Sequence, residues 1–303
     1  MKAAIRISVV VALSTAVFVW PGPASGADVE FTACGGAVPP HQTGALRKDV
    51  VCVYRCSNDP SRVCDGYEDE LNCPDHCLPE RFTLGDGAKL ELRGHSIKFA
   101  YESSAVGCEG GAGGTCSVVG PGSIVGGKGA GVSGGAADVL VENLSIVFTN
   151  AAVYTDGRLL AKRLKIGFER ENQLRAGKGI WLEYSRIASE AGAQSGGDML
   201  VEHTQLGPDG EYFVPGSFRG HHLKLAGGLS VFAKHIRLRQ VVTTPDLRRA
   251  LGGALLSAAG DLRLTLAHVF SIESGRPPHL DRSVCRESRR FGSQATWGVC
   301  TND

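Results

Sequence analysis

Three of the nine histidines, His203, His235 and His268, lie 32 and 33 residues apart. On one face of a repeating backbone their imidazoles could hold a metal ion, or act as base and acid near neutral pH. A ladder of side chains at a bend gives the same spacing without chemistry. Arg219, His221, His222 and Lys224 form a second, cationic cluster. Glu142, Glu183 and Glu202 recur in one slot of a repeat, with Arg163 and Arg186 nearby. Proton abstraction from a uronate needs a base such as Arg163 beside acids that bind a cation. An outward row of charges that solubilises a sheet is the other reading of those glutamates. Candidate catalytic residues are therefore Arg163, His203 and His235. Candidate substrate-binding residues are Trp181, Tyr184, Arg219, His221, His222 and Lys224. Trp181 and Tyr184 are rings on which a pyranose could stack. Inverting hydrolysis requires two carboxylates flanking the bond, and neither Asp-Asp nor Asn-Thr-Asp occurs in the chain.

What must position these residues is a repeat. Asp138-Val139-Leu140-Val141-Glu142-Asn143-Leu144-Ser145-Ile146 returns as Asp198-Met199-Leu200-Val201-Glu202-His203-Thr204-Gln205-Leu206. Weaker copies run over 159–166, 180–187, 231–238 and 264–269, and 90–97 fits the same frame. With Gly94, Asn143, Arg163, Tyr184, His203, His235 and His268 as equivalent points, Asn143 to Arg163 is 20, Arg163 to Tyr184 is 21 and Tyr184 to His203 is 19. Gly120-Pro121-Gly122 supplies a further copy. The later intervals of 32 and 33 call for longer loops, with His221 and His222 on one of them. Each copy is two short alternating runs about a bend, which argues strand. Such a unit completes its core only by stacking on its neighbours. A period near twenty predicts an all-β, right-handed parallel β-helix, with Val141, Leu182 and Val201 in one inward column and Trp181 facing out.

The ends read differently. Residues 1–27 have the pattern of a signal peptide: Lys2 and Arg6, an apolar run from Ile7 to Trp20, and Ser25-Gly26-Ala27 before a cut. The run falls short of the ~20 residues a membrane span needs. All ten cysteines follow, none of them between Cys116 and Cys285. In an exported chain they read as disulfides, with 34–52, 108–116 and 285–300 the local pairs. Cys56, Cys64, Cys73 and Cys77 form a small knot of open connectivity, with a zinc site as the rival reading. The expected organisation is a Cys-rich cap at 28–83, a helix body at 84–275 and a disulfide-closed cap at 276–303. Residues 28–85 hold ten acids against five bases, and 219–290 thirteen bases against five acids. An anionic glycan or envelope polymer suits that basic end. Nucleic acid does not suit an exported protein.

The segments LGDGAKLELRGHSIKFA (84–100), GPGSIVGG (120–127), ADVLVENLSI (137–146) and TWGVCTND (296–303) resemble exported bacterial right-handed β-helix proteins of the pectin-lyase-like superfamily. Cys34-Gly35 leading to Cys52 is similar to their N-terminal cap. The resemblance implies the fold over most of 34–303 but no single activity, because the superfamily spans lyases, hydrolases, epimerases and adhesins. Asp65, Glu68, Asp69 and Glu70 resemble, in part, the calcium loop of low-density-lipoprotein-receptor repeats, with a cysteine missing. A solvated loop is the other reading, and no cofactor is otherwise expected. The function read from the sequence is a secreted or periplasmic monomer that presents an elongated carbohydrate-interacting surface without catalysis. A polysaccharide lyase or epimerase, with Arg163 or a histidine as base, is one alternative. A structural envelope or adhesin-like protein is another.

Overall fold

A computed structural model describes residues 27–56, 63–64, 77–99, 103–127, 129–147, 149–167, 173–188, 191–244 and 254–303. The signal-peptide reading of 1–26 and the acidic loop with Asp65, Glu68, Asp69 and Glu70 lie outside these residues. So does the bonding of Cys56, Cys64, Cys73 and Cys77. The backbone there closes a small antiparallel sheet of Tyr54–Cys56, Val63–Cys64 and Cys77–Pro79.

The rest is a parallel β-helix with three faces. Each coil visits sheet III, then sheet I, then sheet II, and pairs in parallel with the coil before it. One coil runs Ala151–Thr155 (III), Arg158–Lys162 (I) and Lys165–Ile166 (II); the next runs Gln173–Ala176, Gly179–Glu183 and Arg186–Ile187. Among the described residues there is no α-helix, and no helix is long and apolar enough to cross a membrane.

The strand periodicity builds the core. Residues of each strand alternate between the interior and solvent, as in Ile180 and Leu182 buried on either side of exposed Trp181. Val118, Val141, Ala161, Leu182 and Val201 are register partners in one buried column. The column continues through Gly220, where a Cβ would lie 2.5 Å from Leu223 and 2.6 Å from Leu238. Side chains from neighbouring strands fill that gap.

The sequence period breaks after His203. Glu211–Ala226 and Ser230–Thr244 are single long strands that turn both corners without a loop. His221 and His222 therefore lie in a strand, not on the expected loop.

The three local disulfides are present, with Cα–Cα distances of 5.1 Å for Cys34–Cys52, 6.1 Å for Cys108–Cys116 and 5.0 Å for Cys285–Cys300. Beside the last, the Asp303 carboxylate accepts hydrogen bonds from the amides of Val299 (2.7 Å), Cys300 (2.9 Å) and Ser288 (2.5 Å), and from the Ser288 hydroxyl. Desolvation raises the Asp303 pKa, but these bonds outweigh it and hold the carboxyl below its usual value. A depressed folded pKa stabilises above the unfolded value and ceases to do so as pH falls through the folded one. Acid is expected to loosen this cap, read as faster amide exchange at Ser288, Val299 and Cys300. Exchange that stays unchanged below the folded pKa, or that matches the rate in Asp303→Asn at neutral pH, would contradict the assignment.

Candidate functional site

The outward side chains of sheet I form columns along the axis. The central column runs Ser117, Leu140, Leu160, Trp181, Leu200, Arg219, Arg237, Arg263. Its first half is apolar. Leu140, Leu160, Trp181 and Leu200 line a shallow groove of about 680 Å³, and Trp181 is 39% exposed. The acids on its rim are engaged in structure. Asp138 accepts from the Arg158 amide (2.7 Å) and Asp198 from the Ser217 amide (2.8 Å), which closes successive corners.

The second half of the column is cationic. Arg219, Arg237 and Arg263 are exposed register partners on consecutive coils, at the ~4.8 Å spacing of parallel strands. Arg239 adds a fourth guanidinium beside them, opposite His221. Among the described residues none of the four has a carboxylate partner.

The neighbouring column runs Glu142, Lys162, Glu183, Glu202, His221, Arg239. Glu142, Glu183 and Glu202 do share one slot, and Glu183 and Glu202 are adjacent. Lys162 stands between Glu142 and Glu183 and pairs with Glu183 at 3.2 Å, while Arg163 pairs with Glu142. The N-terminal half of the face thus neutralises its own charge.

The corner from sheet I to sheet II is left-handed on coil after coil. Arg93, Asn143, Arg163, Tyr184, His203, His222, Gln240, Leu266 and Arg282 all have φ between 47° and 55°, at a cost of roughly 1–2 kcal/mol each for a non-glycine residue. The bend is held from both sides. The Tyr184 amide donates to the Glu202 carbonyl (3.1 Å) and the His203 amide to the His221 carbonyl (3.0 Å). Inside the bend, the buried Ser185 and Thr204 hydroxyls accept from the Leu164 and Ser185 amides, each at 3.2 Å.

Equal φ on successive coils aims the side chains alike. Tyr184 and His203 stack with centroids 4.8 Å apart, and His203 and His222 at 4.7 Å. His221 packs against His222 at 4.0 Å, tilted by 55°, and its Nε2 lies 2.8 Å from Gln240 Oε1. Desolvation, then the nearby charges of His221, His203 and Arg239, hold the His222 pKa below the ordinary imidazole value.

The structure corrects the register expected for the other histidines. The corner equivalents of His203 on later coils are His222, Gln240 and Leu266. His235 pairs with Ser217 and sits at the far edge of sheet I, where its Nδ1 accepts from the Asp261 amide at 3.2 Å. His268 lies on the sheet II side, opposite Val242. Of the candidate catalytic residues, Arg163 and His203 share the corner column two coils apart, and His235 is across the sheet from both. Of the candidate binding residues, Trp181 and Arg219 share the central column, and Tyr184, His221 and His222 meet at the corner. Lys224 is exposed around the corner on sheet II, pairing with Gln205.

The sequence reading missed Arg237, Arg239, Arg263 and Gln240. Their signal was present in the alternation Ile236-Arg237-Leu238-Arg239, which puts every second residue outside. Sheet III offers another exposed column, Tyr154, Arg175, Gln194, Phe213 and Phe232, with the two phenylalanines stacked at 5.1 Å. Comparison of the chain with protein-family models, curated proteins and solved structures gave no match.

Proposed function

We propose that this chain is an exported β-helix protein of the pectin-lyase-like kind that binds a linear acidic polysaccharide along sheet I without cleaving it. The observation that carries the reading is the ladder Arg219, Arg237 and Arg263, flanked by Arg239, without carboxylate partners among the described residues. Like charges directly opposite one another on neighbouring strands are destabilising. Two coils away the same face pairs its charges, so the fold does not impose the mismatch. A polymer bearing one negative charge per unit relieves it, at a spacing close to that of an extended sugar chain. The apolar strip ending in Trp181 continues the track and gives uncharged sugar faces a surface.

Two observations support binding over cleavage. Arg163, the candidate base, is tied to Glu142, and Lys162 occupies the glutamate slot that a bridging cation would need. Export is supported by the three disulfides.

The test is titration of the disulfide-intact protein with polygalacturonate and with alginate, with and without Ca²⁺. Binding that weakens as salt rises, with no growth of unsaturated-uronide absorbance, is the expected result. Growth of that absorbance would make the protein a lyase. Absence of binding to either polymer would overturn the reading.

A further inference from the structure

We propose that His203, His221 and His222 form a binding site for a divalent first-row transition ion, Zn²⁺ or Cu²⁺ in class. One ring nitrogen from each of the three lies within 4.8 Å of those of the other two. The donors come from two adjacent coils. His203 ends Asp198–Glu202 at the left-handed corner, and His221 and His222 occupy the equivalent corner one coil on. Their backbones are therefore fixed by the solenoid before any ion arrives.

The donor set decides the class of ion. Three imidazoles with no carboxylate among them suit zinc, copper or nickel and do not suit calcium or magnesium, which require oxygen. Gln240 supplies the outer contact that orients a ligating ring. Its Oε1 accepts from His221 Nε2 at 2.8 Å, which leaves the other nitrogen of that ring with its lone pair free. Zn–N bonds of ~2.0–2.1 Å in a tetrahedral site bring ligand nitrogens to roughly 3.3 Å. His203 and His222 are exposed and can close the remaining distance by turning about their side-chain bonds. Exposure also leaves a coordination position open to water or to an external ligand. Simple stacking explains the parallel His203 and His222 rings, but not the third imidazole, tilted against them and oriented by an amide. The inference does not depend on the glycan reading, because the site lies at the corner rather than on the arginine ladder.

The experiment is calorimetric titration of the disulfide-intact chain, free of any polyhistidine tag, with ZnCl₂ and separately with CuSO₄. Copper is also followed by electron paramagnetic resonance. The expected result is one saturable ion per chain, with nitrogen hyperfine structure on the copper signal. His203→Ala and His221→Ala should each weaken binding at least tenfold, and the triple alanine variant should abolish it. Gln240→Ala should weaken it by a smaller factor while leaving the nitrogen signature intact. Absence of saturable binding would overturn the proposal. So would binding that survives in the triple variant, which would place the ion elsewhere in the chain. Circular dichroism of each variant confirms that loss of binding is not loss of fold.

Discussion

Arg237→Glu is expected to weaken binding of polygalacturonate by roughly 30- to 100-fold, while the protein becomes no less stable. The size follows from charge. Arg237 is the middle rung, between Arg219 and Arg263. A close ion pair in water is worth about 1 kcal/mol, and reversal both removes an attraction and adds a repulsion across neighbouring units. A total of roughly 2–3 kcal/mol corresponds to that factor. The stability expectation has the opposite sign. The new carboxylate would stand between two guanidiniums, and a cross-strand opposite-charge pair contributes about 0.2–1 kcal/mol. Affinity is read by titration at low and moderate salt, and stability by urea unfolding. The control is Arg175→Glu on sheet III, where Arg175 Nε already donates to Gln173 at 2.8 Å. If that variant loses binding and Arg237→Glu does not, the polymer lies on sheet III and the ladder has another purpose.

Gly196→Val is expected to destabilise the coil stack by about 3 kcal/mol or more. Gly196 follows Ala193–Ser195 at the corner leading into sheet I. A Cβ there would lie 2.0 Å from the Gly177 carbonyl oxygen, and at Gly177 itself 2.4 Å from the Asp156 carbonyl oxygen. The obstruction is backbone on the adjacent coil, so no side-chain rearrangement relieves it. Overpacking by even a methylene costs ~1–3 kcal/mol where neighbours can yield, and here they cannot without breaking the ladder bond from the Gly196 amide to the Ala176 carbonyl (2.7 Å). Gly111→Ala is the matched control, because a Cβ there meets nothing within 4 Å. Its urea midpoint should be unchanged. Equal midpoints for Gly196→Val and Gly111→Ala would mean that the coils are not packed this closely.

Much of the body was legible because two periodicities agree. Alternation gave the inward and outward faces, so Val141, Leu182 and Val201 share a column and Trp181 faces out, as expected. The interval of 19 to 21 residues followed the left-handed corner from Asn143 to His203. It then failed for a physical reason. The corner needs a conformation, not a residue type, and His222, Gln240 and Leu266 fill it as Asn143 does. Matching histidine to histidine therefore aligned His203 with His235 and His268, skipping the coils that Glu211–Ala226 and Ser230–Thr244 supply. Those strands carry no turn residues at the corner to signal the bend. The three nearby disulfides were legible because short separations leave few partners. The arginine ladder is different: its members are 18 and 26 residues apart, so their adjacency appears only once the true coil lengths are known.

Because every coil touches only the one before and the one after, the molecule behaves as a ruler. Duplicating or removing a whole coil alters no packing rule, yet it changes how many guanidiniums stand in line and how far they lie from Trp181. The length of polymer read, and the order in which its apolar and charged stretches must occur, can therefore evolve by copying units. No individual contact needs to be redesigned.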